Sequence, residues 1–358
     1  MFENRENRTE LEELGEFGLI KHLAQSVVLK NPESIKGIGD DAAVISPTPS
    51  LPGGEGEKPA MVVTTDMLVE GIHFDLTFSP LKHLGYKAVV VNLSDVYAMN
   101  AIPKQIVIAL GLSNRFSLEA VEELYEGINL ACEKYSVDLV GGDTTASRSG
   151  LIISVTAIGQ ADKKEDIVYR NSAKATDLIC VSGDLGAAYL GLQLLNREKK
   201  VFLENPSVQP ELSGYDYLLE RQLKPEARKD IIEQLKSSGI KPTSMIDISD
   251  GLSSELFHIC TQSKVGCQVY EDKIPVDVKT GELAEEFNLS PIICALSGGE
   301  DYELLFTVNI HDFEKLKLLK DIHVIGHITD EASGLMMIDK AGSAIQLKAQ
   351  GWDAMKNS

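Results

Sequence analysis

The chain of 358 residues is 43% hydrophobic and 25% charged, which indicates a globular protein with a full core, folded as two domains or one large one. It has 54 acidic against 34 basic residues, a net charge of −20 that argues against nucleic acid or an anionic membrane as the main partner. The same charge repels any phosphate-bearing substrate, a repulsion that bound divalent cations would overcome.

Cysteine usage and the N-terminus predict a cytoplasmic protein. The five cysteines are scattered, none forms a CxxC pair, and most stand in apolar runs such as "LICVSG" and "PIICALSG". We therefore expect buried, reduced thiols, which fit a reducing compartment. The N-terminal "MFENRENRTELEELGEF" lacks the apolar core of a signal peptide, and no apolar stretch approaches the roughly 18 residues of a membrane span.

Strands and helices are predicted to alternate through the first half of the chain. Residues 1–14 predict a polar extension, "GEFGLIKHLAQSVV" has helical periodicity, and residues 46–59, rich in Pro, Gly and Glu, predict an exposed loop. Periodicity then predicts, in chain order, a strand over 60–66, a buried helix over 81–101, a strand over 105–113, a helix over 117–135, and strands in "DLVGGD" and "LIISVTAIGQA". Ser117 is the expected N-cap of the last helix, with Glu119 in its first turn.

A polar stretch at 160–175 predicts a domain boundary, with an N-terminal domain over 15–165 and a C-terminal domain over 166–358. In the second domain, "LICVSGDLGAAYLGLQLL" and "SMIDISDGLSSELFHICTQ" each predict a strand, a turn and a helix. A polar excursion occupies 197–214, and late strands are predicted in "YELLFTV", "HVIGHI", "LMMID" and "AIQLK". Such alternation is typical of two domains that mix helices and strands.

The most informative feature is a set of carboxylates where strands end and turns begin. They stand in six motifs, each close to glycine or to a Val/Ile/Leu run: "GIGDDAAVI", "TTDMLVEGIHF", "NLSDVYAM", "VGGDTT", "MIDISDGL" and "SGGEDYELLF". Their acidic residues are Asp40, Asp41, Asp66, Asp95, Asp143, Asp247, Asp250, Glu300 and Asp301. Any one of them has an ordinary explanation as a turn residue or a helix N-cap. Their recurrence at six places in one chain favours a shared function.

Asp95 is the sharpest case because it lies inside an apolar helical run, where a carboxylate is disfavoured and costly to bury unpaired. Asn92 precedes it by three residues and shares its helix face. The motifs contain few cations of their own, so hard divalent metal ions, which prefer carboxylate oxygens, are the expected partners. Such ions beside glycine-rich turns are one way to hold nucleotide phosphates without a basic pocket.

Three other kinds of site are excluded by their missing motifs. No GxxxxGK[ST] occurs, so the chain is not a P-loop protein. The segment "DISDG" lacks the alternating acidic positions and the closing Glu of an EF-hand. The seven histidines are scattered, without the HExxH pattern of a zinc site.

With its motifs in this order, the chain resembles the thiamine-monophosphate kinase family, a branch of the superfamily that includes aminoimidazole ribonucleotide synthetase. The resemblance runs from "GEFGLI" to "GWD" and rests on "GIGDDAAV", "TTDMLVEGIHF", "YKAVVVNLSD", "LVGGDTT", "IDISDGL" and "LSGGEDYEL". It implies an α+β fold with an N-terminal ATP- and metal-binding domain and an α/β C-terminal domain. The N-terminal domain would have a mixed sheet that pairs in a homodimer.

The resemblance also implies a reaction, the direct in-line transfer of the γ-phosphoryl group of ATP to thiamine monophosphate, which gives ADP and thiamine diphosphate. Several Mg²⁺ ions would assist it, and a need for K⁺ is left open. No catalytic acid or base is implied, because the accepting phosphate oxygen is already anionic near neutral pH.

Family roles carry over to the matching positions of this chain. The resemblance implies Mg²⁺ ligands at Asp41, Thr64, Thr65, Asp66, Asp95, Asp143, Asp247 and Asp250. It implies ATP contacts at Tyr135, Gly142, Asp143, Arg170 and Ser249. It implies contacts to thiamine monophosphate at His73, Glu300 and Trp352.

Without the family, three of these residues have ordinary explanations. Trp352, the single Trp, fits a cation–π contact with the thiazolium ring and equally a hydrophobic anchor. His73 fits a structural histidine, and Tyr135 fits a core residue at a helix end. Arg170, by contrast, is a cation among the acidic motifs and can pair bidentately with a phosphate.

Two alternatives stay open: another ATP-dependent enzyme of the superfamily, such as an amidine-forming synthetase, and a non-catalytic acidic protein that binds Mg²⁺ and nucleotide. Selenophosphate synthetases use an N-terminal Cys or selenocysteine, whereas no Cys here precedes Cys132. The hydrogenase-maturation relative uses a C-terminal Cys, whereas this chain ends "GWDAMKNS". The extra N-terminal residues, the acidic loop at 53–58 and the excursion at 197–214 are expected to be peripheral insertions.

Overall fold

The structure is a computed structural model that describes residues 11–46 and 59–348. Three features predicted from the sequence lie outside them: most of the loop at 46–59, residues 1–10 of the N-terminal extension, and Trp352. All five cysteines lie inside the described ranges, where they are buried and form no disulfide, as expected. In the same ranges no helix combines the length and the apolar character that crossing a membrane requires.

The first half of the chain forms a mixed sheet of six strands. The strands are β1 (Ser34–Lys36), β2 (Ala43–Ile45), β3 (Ala60–Val69), β4 (Ile102–Leu112), β5 (Asp138–Ala146) and β6 (Ile152–Ala161). They lie in the order β1-β2-β3-β6-β4-β5, and neighbours are antiparallel except for the parallel pair β4 and β5. A helix connects that pair, because parallel neighbours need a crossover rather than a tight turn.

Three helices accompany this sheet: α1 (Leu11–Ala24), α2 (Leu81–Ala98) and α3 (Leu118–Tyr135). The first is broken at Gly15, whose φ of 65° and ψ of 176° are not helical. α3 begins as predicted, because the Ser117 hydroxyl oxygen accepts a hydrogen bond from the Ala120 N–H at 3.4 Å. α2 ends earlier than predicted, because Asn100 takes a left-handed φ of 56° that a helix cannot continue through.

The second half forms a mixed sheet of seven strands. The strands are β7 (Leu178–Ser182), β8 (Ser244–Asp247), β9 (Val265–Tyr270), β10 (Leu304–Val308), β11 (Ile322–Asp330), β12 (Leu335–Ile338) and β13 (Ala344–Gln346). Their order is β13-β12-β9-β11-β7-β10-β8, with β9 and β12 parallel and the other neighbours antiparallel. The predicted α+β fold is thus confirmed, and the second sheet is mixed like the first, whereas the domain boundary after residue 165 stays a prediction.

The helices of the second half are α4 (Ala187–Glu204), α5 (Asp216–Leu223), α6 (Lys229–Ser237), α7 (Leu252–Ser263), α8 (Val278–Glu286), α9 (Pro291–Ser297) and α10 (Phe313–Leu316). Short 3₁₀ turns occupy Lys164–Asp166, Glu271–Lys273, Ile310–Asp312 and Glu331–Ser333. Because α4 runs to Glu204, the polar excursion at 197–214 begins inside a helix. Its Lys199 pairs with Asp75 in the segment between β3 and α2, so this part of the excursion is not detached from the rest of the protein.

Both sheets meet on α2. This helix contacts β3, β4 and β6 of the first sheet and β8 of the second. Its apolar residues belong to one hydrophobic core with residues of both sheets, among them Val62 and Phe306. A helix buried on nearly every side must give each of its polar side chains a partner. Lys87, Asn92 and Ser94, all buried on α2, therefore take part in the polar contacts described below.

Two glycines let α2 and α3 cross with their backbones in contact. A Cβ atom at Gly85 of α2 would lie 2.0 Å from the carbonyl oxygen of Leu124. A Cβ atom at Gly127 of α3 would lie 1.8 Å from the carbonyl oxygen of Lys82. Backbone atoms cannot move aside as a flexible side chain can, so neither position accepts a larger residue without separating the helices.

We therefore predict that Gly127→Ala lowers the free energy of unfolding by about 2 kcal/mol or more, as overpacking a tight contact does. The matched control is Gly281→Ala in α8, where a Cβ meets no atom within 4 Å. That change should raise stability by about 0.5–1 kcal/mol, because alanine is the better helix former. Urea unfolding followed by circular dichroism measures both, and equal stability of the two variants would contradict the close crossing.

Candidate active site

Three of the predicted metal ligands converge in space. Asp41 precedes β2, Asp95 lies in the last turns of α2, and Asp247 ends β8. Each offers a carboxylate oxygen within 4.8 Å of the others. Asp41 and Asp247 are 7% and 3% exposed, so the cluster is withdrawn from bulk solvent. The sheets and the central helix thus bring together acidic residues that are far apart along the chain.

Each carboxylate of the cluster is held by a neighbouring donor. The Thr64 hydroxyl on β3 donates to Asp95 Oδ2 at 2.6 Å, and the Ser94 hydroxyl on α2 donates to Asp247 Oδ2 at 2.7 Å. Arg170 donates to both oxygens of Asp41, from Nε at 3.0 Å and from a terminal guanidinium nitrogen at 2.7 Å. These bonds fix the oxygens in place before any ligand arrives.

The cluster carries more negative charge than its one guanidinium offsets. Burial, followed by repulsion from Asp66 and Asp247, raises the pKa of Asp95 well above its ordinary value. Burial, followed by repulsion from Asp41, raises the pKa of Asp247 to about 8. Buried like charges of this kind are relieved by a cation or by protonation. The atoms of the cluster that could coordinate a metal are all oxygens, so the residues fit a hard divalent cation such as Mg²⁺.

The two threonines before Asp66 point to opposite sides of β3. Thr64 is buried and faces Asp95, whereas Thr65 is exposed and its hydroxyl donates to the Val155 carbonyl on β6 at 3.1 Å. This alternation follows from the pleat of a strand, and it keeps the Thr65 side chain away from the cluster. The Asp66 N–H donates to Asn92 Oδ1 at 3.0 Å, which ties β3 to α2.

The predicted residues Ser249 and Asp250 form the turn between β8 and α7. Both of their N–H groups donate to Glu255 Oε1, at 3.1 and 2.8 Å. Glu255 is 1% exposed, and burial, followed by repulsion from Asp250, raises its pKa well above the ordinary value. Sequence reasoning missed Glu255. The available signal was a glutamate in the first turns of a helix, where it can accept backbone N–H groups.

Asp143 and Gly142 lie apart from the cluster. Both are exposed on β5, the edge strand of the first sheet. Asp143 pairs with Ala109 of β4, which pairs with Ser154 of β6, which pairs with Met67 of β3. Three strand spacings separate Asp143 from β3, a distance of about 14 Å. The structure therefore does not bring Asp143 to the carboxylates of its own chain.

Tyr135 is buried and hydrogen-bonded within its own chain. It is 5% exposed, and its hydroxyl donates to Glu226 Oε2 at 2.5 Å. The Tyr135 hydroxyl oxygen in turn accepts the Ala227 N–H at 2.9 Å. The ring therefore has almost no surface on which adenine could stack within this chain. Tyr86 also donates to Glu226, at 2.6 Å, so the two tyrosines join α2 and α3 to the segment after α5.

Two further acids of the motifs have local partners. Asp40 accepts the Arg170 N–H at 3.2 Å and lies 3.3 Å from the Lys36 ammonium, and burial raises its pKa to about 6. Asp301 accepts the Gly186 N–H at 2.9 Å, just before α4, and burial raises its pKa to about 7. Asp301 therefore faces the start of α4, whereas its neighbour Glu300 faces α2.

The predicted substrate contacts His73 and Glu300 lie near each other. The Nδ1 atom of His73 accepts the Val69 N–H at 3.1 Å, so its neutral ring carries its proton on Nε2. Burial lowers the pKa of His73, and the nearby Glu300 carboxylate opposes that shift. Glu300 lies 3.0 Å from the Lys87 ammonium. Trp352, the third predicted contact, is outside the described residues.

We predict that Asp95→Asn stabilises the metal-free protein. An ionised Asp95 disfavours the fold, because its pKa is raised above the unfolded value of about 4. The contribution of protonated Asp95 to the stability of the fold is therefore complete at low pH. It is lost as the pH rises through the raised pKa. In EDTA at pH 8, the variant should gain at least about 1 kcal/mol in free energy of unfolding, and the gain should disappear near pH 4.

Urea unfolding at both pH values measures this difference, and Asp162→Asn is the control, because Asp162 is exposed and pairs with an exposed Lys236. Mg²⁺ should then stabilise the wild type more than the Asp95→Asn variant. A variant less stable than the wild type at pH 8 would show that the carboxylates do not repel one another.

Comparisons with known proteins agree over nearly the whole chain. The model of the AIR synthase related protein N-terminal domain matches residues 39–161. The thiamine-monophosphate kinase of Bacillus subtilis is 31% identical over 96% of this chain and 100% of its own length. That of Aquifex aeolicus is 34% identical over 96% of this chain and 98% of its own length.

Solved structures give the same result. AaThiL complexed with AMPPCP and TMP has a TM-score of 0.80 and 31% sequence identity, and the match covers 97% of this chain and 99% of that one. The hydrogenase maturation protein HypE in complex with ATP, with a TM-score of 0.65 and 20% identity, shares the fold. Identity above 30% with relatives covered almost end to end means that the chain belongs to the thiamine-monophosphate kinase family.

Proposed function

We propose that this protein transfers the γ-phosphoryl group of ATP to thiamine monophosphate, which yields ADP and thiamine diphosphate. The observation that carries the proposal is the near-complete match to thiamine-monophosphate kinases, one of them solved with AMPPCP and TMP. The clustered carboxylates give that activity a physical basis, because they can hold the divalent cations that let two anionic reactants approach each other.

The metal-binding residues would be the buried cluster and its neighbours. Asp41, Asp95 and Asp247 form its centre, and Asp66 faces Asp95 closely enough to raise the pKa of that residue. The family positions Thr64, Asp143 and Asp250 complete the proposed set. The family position Thr65 is left out of it, because its side chain faces away from the cluster. Bound Mg²⁺ would neutralise charge on the phosphates as it develops during transfer. The protein's part is to hold oxygen ligands at fixed positions, which the bonds from Thr64 and Ser94 support.

The nucleotide would meet Arg170 and the turn before α7. A guanidinium has five N–H donors, and Arg170 donates to Asp41 from two of its nitrogens, so among the described residues further donors remain for a phosphate. The Ser249 N–H is already bound to Glu255, so Ser249 would contact ATP through its side-chain hydroxyl. Gly142 on the exposed β5 completes the proposed nucleotide set.

No side chain is assigned as a catalytic base. The accepting oxygen belongs to the phosphate of thiamine monophosphate and is already anionic, so no proton has to be removed from it. The side chains instead align the two phosphates for in-line displacement. His73 and Glu300, with Trp352, would hold the rest of thiamine monophosphate, and the Nε2 proton of His73 supplies one donor.

We also propose a homodimer joined through the first sheet. Its edge strand β5 is exposed along nearly its whole length, and an uncovered edge invites pairing with another chain. Pairing there would place Asp143 beside a second copy, which gives it a route to a carboxylate cluster that it does not reach in its own chain. We place the dimer in the cytoplasm, where five free cysteines stay reduced.

The activity is tested by incubating the protein with ATP, Mg²⁺ and thiamine monophosphate and measuring ADP and thiamine diphosphate by chromatography. We predict turnover that EDTA abolishes. Asp66→Asn should lower kcat at least about a hundredfold, because a metal-assisted transfer loses one of its ligands. The exposed Asp162→Asn should retain wild-type activity. Nucleotide binding without product, or an active Asp66→Asn enzyme, would refute the proposal.

The dimer is tested by light scattering after gel filtration. We predict twice the mass of one chain for the wild type. Val140→Glu on β5, where the side chain is 58% exposed, should shift the protein towards monomer, because it places a charge in the proposed interface. Val278→Glu on α8, where the side chain is 71% exposed, should leave the dimer intact. A monomeric wild type would contradict pairing through β5.

A further inference from the structure

A buried lysine in the middle of α2 is not among the residues proposed to bind metal, nucleotide or substrate. Lys87 belongs to the motif "YKAVVVNLSD" and is 6% exposed among apolar neighbours. Its ammonium group donates to the Gln222 carbonyl at 2.9 Å and lies 3.0 Å from Glu300 Oε1. Burying an ammonium group is costly, and the contacts with Gln222 and Glu300 offset that cost.

The other oxygen of Glu300 is held from a second helix. Gln222, at the end of α5 and 5% exposed, donates from Nε2 to Glu300 Oε2 at 2.8 Å. The two oxygens of this carboxylate are therefore engaged by two different elements, which prevents its rotation. A carboxylate has about four acceptor positions, so roughly two remain for hydrogen-bond donors of a ligand.

The backbone of Glu300 is also unusual. Its φ is 59°, in the left-handed region that non-glycine residues rarely occupy, and it follows Gly299 with a φ of 72°. The Glu300 N–H donates to the Ser249 carbonyl at 2.7 Å, which anchors the loop to the turn before α7. A strained backbone persists only where the surroundings hold it, and Lys87 and Gln222 are part of those surroundings. The Glu300 side chain is still 29% exposed, so a ligand can reach it.

The same helix carries Lys87 and the cluster residue Asp95. They are eight residues apart, which is about 12 Å along a helix axis. α2 therefore sets the distance between the Glu300 carboxylate and the oxygen cluster. A substrate with a phosphate at one end and a cationic or N–H-donating group at the other would span these two points.

We propose that Lys87, assisted by Gln222, is a positioning residue that holds Glu300 for the donor end of the phosphate-accepting substrate. This inference rests on the proposed kinase function. Lys87 acts through Glu300 and does not touch the reacting phosphates, so it sets the affinity for thiamine monophosphate and leaves the affinity for ATP unchanged.

The first test replaces the ammonium by an uncharged chain of similar length. Lys87→Met should raise KM for thiamine monophosphate roughly 10- to 100-fold, the value of a charge-assisted hydrogen bond. The KM for ATP should stay within about twofold, and kcat should change much less than KM, because uniform substrate binding is what is lost. Lys82→Met is the matched control on α2, where the lysine is exposed and pairs with an exposed Glu126; its constants should equal those of the wild type.

The second test asks whether Lys87 acts through Glu300. In a Glu300→Gln background, adding Lys87→Met should change KM for thiamine monophosphate by less than about twofold, since residues in one network are not additive. Gln222→Met should raise the same KM independently, which keeps the proposal testable if Lys87→Met does not fold.

Three outcomes would overturn the proposal while the wild type still makes thiamine diphosphate. They are an unchanged KM in both Lys87→Met and Gln222→Met, an equal rise of KM for both substrates, and full additivity with Glu300→Gln. A wild type that forms no thiamine diphosphate would instead refute the proposed function.

Discussion

The candidate active site depends on the burial of several carboxylates at one point, where one guanidinium among the described residues offsets their charge. Asp95 and Asp247 have raised pKa values because their ionised forms are poorly solvated and are repelled by neighbouring carboxylates, above all Asp66 for Asp95 and Asp41 for Asp247. A protein gains nothing in stability from such a cluster, so its benefit must come from what it binds. Mg²⁺ would turn the repulsion into attraction and would then present positive charge to two phosphate groups.

The helix α2 connects this cluster of carboxylates to both sheets of the fold. It is buried between the two sheets, and its polar side chains each reach a different element. Asn92 binds the backbone of β3, Ser94 binds the last residue of β8, and Lys87 binds the loop of Glu300. Its crossing with α3 is fixed by Gly85 and Gly127, so the helix cannot slide without breaking these contacts. The oxygen cluster and the Glu300 carboxylate are thereby held in one rigid frame.

Much of this could be predicted from the sequence, because apolar periodicity and turn residues reported the strands and helices directly. The recurrence of carboxylates at six motifs led us to expect that they share a site, and Asp41, Asp95 and Asp247 do converge. Other features depend on tertiary contacts that no local pattern encodes. Lys87 was missed because its partners, Gln222 and Glu300, are distant along the chain. Glu255 was missed although its partners, the N–H groups of Ser249 and Asp250, are local. The distance of Asp143 from the cluster became visible only with the sheet order.

The claim that buried carboxylates converge on metal is tested most directly by diffraction. Crystals grown with Mn²⁺ in place of Mg²⁺ and with a non-hydrolysable ATP analogue would give an anomalous signal from each ion. The account predicts at least one peak between Asp41, Asp95 and Asp247, with metal–oxygen distances of about 2.1 Å. A map with no peak between these carboxylates, in crystals where the nucleotide is bound, would contradict the account.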